Sequence, residues 1–185
     1  MWSKLAWDAD LCRDVQISYP RERQPLAYAA INVCIAALSL RDWVISELTG
    51  RARAAGLKFD EKAHHKARDA AVPEQAMCEA IANTAKHARH RDGGWPGSQV
   101  SLEWQEGDED CPPGYMLHHL NGSGCAGALA VNSFESLCGN WWNFLRTLDL
   151  AGDRSRTPEW QQNKLRRIFG DHDGMIVPAG CQSLE

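Results

Sequence analysis

The chain has 185 residues, 44% hydrophobic and 24% charged, with a formal net charge of −4 and a pI near 6.0. That length carries one core plus decoration rather than two full domains, and the mix is that of a globular chain. The slightly acidic balance argues against a broadly basic nucleic-acid or membrane-surface protein, since phosphate binding needs clustered Lys and Arg, and it leaves room only for a local basic patch.

The start, Met1-Trp2-Ser3-Lys4-Leu5-Ala6-Trp7-Asp8, lacks the long apolar core of a signal peptide. No segment approaches ~20 apolar residues without charge, so the expectation is a cytoplasmic chain with no membrane span. Pro25 to Leu48 is the longest apolar stretch. Ile31, Cys34, Leu38 and Ile45 share one stripe, while Val33, Ile35, Leu40 and Val44 cover most of the rest. A helix apolar nearly all round is a central, buried one, and Gly50 supplies its stop. Residues 51–72 are charged and alanine-rich, and fit either a solvated helix or an ordered loop. Asp60 can cap a helix from Glu61 to about Ala71.

Pro73 suits the first turn of the next helix, which runs to about Arg91 and stops before Asp92-Gly93-Gly94. Met77, Ala80, Ile81, Thr84 and Ala88 lie on its apolar arc, with Glu79, Asn83, Lys86 and His90 opposite and His87 at the edge. The period then changes to two. Val100, Leu102 and Trp104 alternate with polar neighbours in a half-buried strand. Tyr115 to Leu120 predicts a second strand, Asn121-Gly122 a hairpin turn, and Cys125 to Ala130 a third strand weakened by its glycines. Asn132 and Glu135 have capping-box spacing ahead of a face made of Phe134, Leu137, Cys138, Trp141, Trp142, Leu145 and Leu148, with Gly139 on the polar side. Thr157-Pro158-Glu159 opens a last helix that Gly170 closes, and the tail from Asp171 is irregular.

The fold expected is therefore mainly α: an up-and-down helical bundle with a small antiparallel β-hairpin or meander inserted at about 99–130. The seven cysteines are widely spaced and form no CxxC, which disfavours both a disulfide framework and a zinc ribbon. Eight tryptophans point to a core or interface built on large rings, with Trp141 and Trp142 on a core or dimer face.

The best candidate for chemistry is the segment from Glu79 to His90. Asn83 and His87 are one turn apart, and Lys86, Arg89, His90 and Arg91 add positive charge. A His titrating near neutrality can take a proton from a ribose 2′-hydroxyl, and a nearby cation can stabilise a crowded phosphate. The alternative is a structural Asn83–His87 hydrogen bond with solvated neighbours. His64-His65 and His118-His119 are not ready ligand pairs, because adjacent side chains diverge on helix and strand alike. His87 and His90 would need distant partners to hold a metal, so no metal is expected. The acidic turn 106–110 lacks the ligand period of a calcium loop. Asp42-Trp43 suits a structural role, with Asp bonding backbone and Trp packed. No phosphate-binding loop or dinucleotide fingerprint occurs, and no cofactor is expected.

Three segments carry a family resemblance: Ala27-Tyr28-Ala29-Ala30-Ile31-Asn32, Leu38-Ser39-Leu40-Arg41-Asp42-Trp43-Val44, and Cys78-Glu79-Ala80-Ile81-Ala82-Asn83-Thr84-Ala85-Lys86-His87. Together they resemble uncharacterised bacterial members of the HEPN-like superfamily over about residues 10–148. The resemblance implies a helical homodimer forming one domain over 1–150, with 151–185 packed on it. It also implies action on RNA or a nucleotide in a toxin, mobile-element or phage-defence setting, as a metal-independent endoribonuclease. His87 matches the family His, Asn83 the polar residue before it, and Lys86 or Arg89 is the cation available. On this reading His87, Asn83 and Lys86 are catalytic, and Glu79, Arg89 and His90 meet substrate. The pattern departs at Glu79, where related sequences often carry Arg, and a carboxylate repels phosphate. Some HEPN domains have lost catalysis and serve as binding or dimerisation modules, which is the alternative reading, with a protein as the partner. A third is a small-molecule pocket lined by tryptophans.

Overall fold

The computed structural model describes residues 1–86, 99–109, 112–121 and 124–152, together with 162, 163 and 166. Five helices are described: α1 (Trp2–Ser18), α2 (Arg23–Ala54), α3 (Glu61–Ala71), α4 (Gln75–Lys86) and α5 (Ala130–Thr147). Between α4 and α5 lies an antiparallel meander in the order β1-β2-β3, formed by β1 (Gln99–Gln105), β2 (Gly114–Asn121) and β3 (Gly124–Leu129). The chain is mainly α with an inserted sheet, as the periodicity predicts. The expected helix at 157–170 and the irregular tail lie outside the described residues, apart from helical Gln162, Asn163 and Arg166.

The first helix is an addition to the sequence reading. Trp2, Leu5, Ala6, Ala9 and Cys12 recur at helical spacing and are all buried. They seat α1 along α2 and against α5, where Trp2 Nε1 donates to the Cys138 carbonyl at 3.1 Å and its ring lies 4.6 Å from that of Trp142. This packing also corrects the placing of Gly139, which is buried because α1 covers that flank of α5.

α2 runs through Gly50, four residues past the predicted stop at that glycine. Its true stop is Gly56, at φ +70°. Leu57 N bonds Ala52 O at 2.8 Å and Gly56 N bonds Arg53 O at 3.0 Å, the paired reversal that a left-handed glycine makes possible. Nor is α2 buried all round. Leu26, Val33, Cys34, Leu40 and Val44 face the core, while Tyr28, Asn32, Asp42, Trp43 and Ser46 face solvent. The helix is long and apolar enough to cross a membrane, yet half of its apolar window is buried inside the protein. Trp43 is not packed as expected but 41% exposed, and Asp42 pairs with the neighbouring Arg41 side chain rather than with backbone.

α3 begins where Asp60 predicts, with its Oδ1 accepting from Ala63 N at 2.9 Å. Its faces are not evenly solvated, however: His64 and Arg68, one turn apart, are buried. In the sheet, Val100 faces His119, Leu102 faces Leu117 and Trp104 faces Tyr115, so these residues share the inner surface. Tyr115 Oη donates to the Arg21 carbonyl at 2.8 Å, and the Arg21 guanidinium lies 5.5 Å from the Trp104 ring. On the outer surface a Cβ at Gly127 would come 2.7 Å from His118 Nδ1, so a larger residue there would have to displace that ring.

β3 passes directly into α5. The predicted capping box does not form, because the helix starts at Ala130 with Leu129 as its cap and no side-chain cap bond. Asn132 is thus inside the helix, and Glu135 instead meets Arg13 of α1 at 2.8 Å. Phe134, Leu137, Cys138, Trp141, Trp142 and Leu145 form the predicted buried face, with Leu148 half-buried at its end.

Candidate functional site

Glu79 sits on the α4 turn before Asn83, and two arginines from other helices meet it. Arg41 Nη1 of α2 donates to Glu79 Oε1 at 2.8 Å, and Arg68 Nη1 of α3 stands 3.5 Å from the same oxygen. Each guanidinium also holds the carboxylate next to it in sequence: Arg41 Nη2 lies 2.7 Å from Asp42 Oδ1, and Arg68 Nη2 donates to Asp69 Oδ1 at 2.6 Å. Burial works against the charge on Arg41, but its hydrogen bonds to Glu79 and Asp42 outweigh this and hold its pKa above the ordinary value. The Arg68 side chain is only 5% exposed, and its Nη1 makes no hydrogen bond among the described residues.

The cluster therefore gathers two cations and three anions where α2, α3 and α4 converge. A carboxylate engaged by two guanidiniums serves as an ion-pair hub, and it leaves no free cation of the pair for a phosphate. Spacing alone puts Glu79 on the side of α4 opposite its apolar arc. Arg41 and Arg68 were not singled out from the sequence, and the one local signal was an arginine inside the apolar run of α2.

Asn83 is half-buried, one turn beyond Glu79. Lys86 is the last residue of α4, and His87, Arg89 and His90 lie outside the described residues. Trp141 and Trp142 are buried in the chain's own core rather than lying on an open face. Trp141 Nε1 donates to Gln75 Oε1 at 2.9 Å, joining α5 to α4. Among the described residues no three His, Cys, Asp or Glu side chains gather in a manner that could hold a metal.

The histidine doublets split as their geometry requires. His64 packs between the rings of Phe59 and Phe144, at 5.5 and 5.7 Å, while His65 reaches Glu61 at 3.3 Å. His119 faces the core and His118 the outer surface of the sheet. Burial, with Arg68 one turn away, pushes the His64 imidazole below its ordinary 6.5, and burial does the same to His119. A folded-state pKa below the unfolded one means that the unfolded chain takes up the proton first. Stability is then full above about pH 6.5 and declines as pH falls below that value. Urea melts near about pH 7.5 and about pH 5.5 should show a lower midpoint in acid, and His64→Phe should flatten the difference.

Cys12, Cys34, Cys78 and Cys138 are free and buried. Burial pushes the Cys12 thiol up to about 12 and raises Cys138 as well. Cys78 is raised by its hydrogen bond to Cys34 and by burial. Thiols of this kind are inert packing groups. Iodoacetamide should leave all four unlabelled in the native protein and label all four in denaturant, as read by peptide mass spectrometry; native labelling of any one would contradict its placement.

No family model matches the chain, and neither a curated protein nor a solved structure matches it.

Proposed function

We propose that this chain is a non-catalytic HEPN-like helical module that works by association, first of all with a second copy of itself. The observation that carries this reading is the distribution of exposed apolar side chains. Among the described residues every large exposed hydrophobic falls within the first 57 positions, and Trp7, Leu11, Ile17, Tyr28 and Trp43 belong to the paired helices α1 and α2. Scattered surface apolar residues need no explanation, but their concentration on one helical pair points to a covered face. The engagement of Glu79 by Arg41 and Arg68 supports the loss of nuclease chemistry, because the family's motif cation is replaced here by a carboxylate already held by two arginines.

A second reading is RNA or nucleotide binding, with or without cleavage, in the cytoplasm. It is favoured by the basic run from Lys86 to Arg91 in an otherwise acidic chain. Two measurements separate the readings. Light scattering should give a dimer mass that Trp43→Glu shifts to monomer while the helical signal is retained. RNA incubated with the protein in EDTA should remain intact. A monomeric wild-type protein would refute the association reading, and cleavage that His87→Ala abolishes would replace it with the catalytic one.

A further inference from the structure

Where the N-terminal half of α2 passes α4, small side chains leave a gap at the surface. A half-open groove of about 280 Å³ lies between the two helices and the inner surface of the sheet. Ala27 and Ala80 line the helical side with Ile81, and Leu102 and Leu117 line the strand side. No tryptophan lines it. The one charged lining residue is Arg23, at the start of α2. Its neighbour Arg21 is already engaged by Glu106 at 3.8 Å and by the Trp104 ring. No acidic side chain among the described residues pairs with Arg23, and the positive end of the α2 dipole lies beside it.

An apolar trough with one convergent charged group has the composition of a ligand site rather than of a packing fault. The charge selects the ligand: an amine is repelled, a neutral alkyl chain leaves the guanidinium unused, and an amphipathic anion satisfies both parts. We propose that this groove binds a medium-length aliphatic carboxylate, its alkyl chain over the alanines and its head group on Arg23. At ~30 Å³ for each water-sized group the volume holds about nine such groups, which sets the probe as octanoate.

Titration calorimetry on the full chain should show saturable binding of octanoate and none of octylamine. Arg23→Gln should weaken octanoate by about tenfold or more and leave octanol unchanged, since a charged hydrogen-bonded head group is what that variant removes. Ala27→Phe, which fills the trough, should abolish binding at an unchanged melting temperature. Methyl resonances of Ile81 and Leu117 in the unaltered protein should shift during the octanoate titration, which keeps the proposal testable should Ala27→Phe fold poorly. Absence of saturable binding at millimolar octanoate, indifference to Arg23→Gln, or methyl shifts confined to other parts of the core would each overturn it.

Discussion

Replacing Trp141 by Ala should cost about 3–5 kcal/mol, a large share of the roughly 5–15 kcal/mol that holds a domain of this size together. The ring is fully buried, 6.0 Å from Phe144 in an edge-on contact, and its Nε1 is the donor that Gln75 Oε1 accepts. Two losses therefore combine in the Ala variant: a cavity at the centre of the core and an orphaned amide oxygen. Trp141→Phe separates them, because it keeps most of the packing and removes only the donor. An unsatisfied buried acceptor costs about 1–3 kcal/mol, so Trp141→Phe should fall well short of the Ala variant. Gln75→Leu placed on top of Trp141→Phe should recover part of the loss, since both polar partners are then gone. Urea denaturation with an unchanged slope measures all three, and equal costs for Ala and Phe would show that packing at this position contributes little. The expected result is unfolding rather than altered assembly, because the tryptophan pair lies in the core of the single chain.

How much of this was legible in the sequence follows from the range over which each signal acts. The meander, the Asp60 cap and the face of α5 are local patterns of period two or 3.6, and each lies within a residue or two of its expected place. α1 was legible in principle, since Trp2, Leu5, Ala6, Ala9 and Cys12 form a stripe. The stripe is blurred by buried Asp8 and Asp10 on its two flanks and by exposed Trp7 and Leu11 on the opposite face. α2 misleads in the opposite way. Its composition is apolar nearly all round, and only the partners that pack against it determine that Tyr28 and Trp43 stay outside. The candidate site was the least legible part, because its charges come from three helices. Glu79 looks solvated until Arg41, 38 residues earlier, is brought beside it. Arg68 and His64 belong to an otherwise charged and exposed helix, where no periodicity marks them as its docking face.

That docking face makes Glu79 the second position of large effect. Glu79→Ala should destabilise by about 2–4 kcal/mol, because it leaves the buried guanidinium of Arg68 with Asp69 alone and that of Arg41 with Asp42 alone. The cost lies in two buried guanidiniums each left with a single, more exposed carboxylate, and this fixes an order among variants. Arg68→Met removes the buried cation, keeps its volume and leaves Glu79 bonded to Arg41, so it should cost less than Glu79→Ala. The double variant should be milder than the sum of its parts, with the coupling read from a double-mutant cycle of urea melts. If Arg68→Met proves the more damaging single change, the guanidinium is held by its stem and by Asp69, and the hub is not Glu79. The same reasoning applies to a change of charge sign at this position. Glu79→Arg would place a third guanidinium against two that already share one carboxylate. It should therefore be the least stable of these variants and should not yield an RNA-cleaving protein. Arg41 and Arg68 both face an acidic group at this position, so the carboxylate of Glu79 is built into the packing of α2 and α3 and a cation cannot take its place by a single substitution.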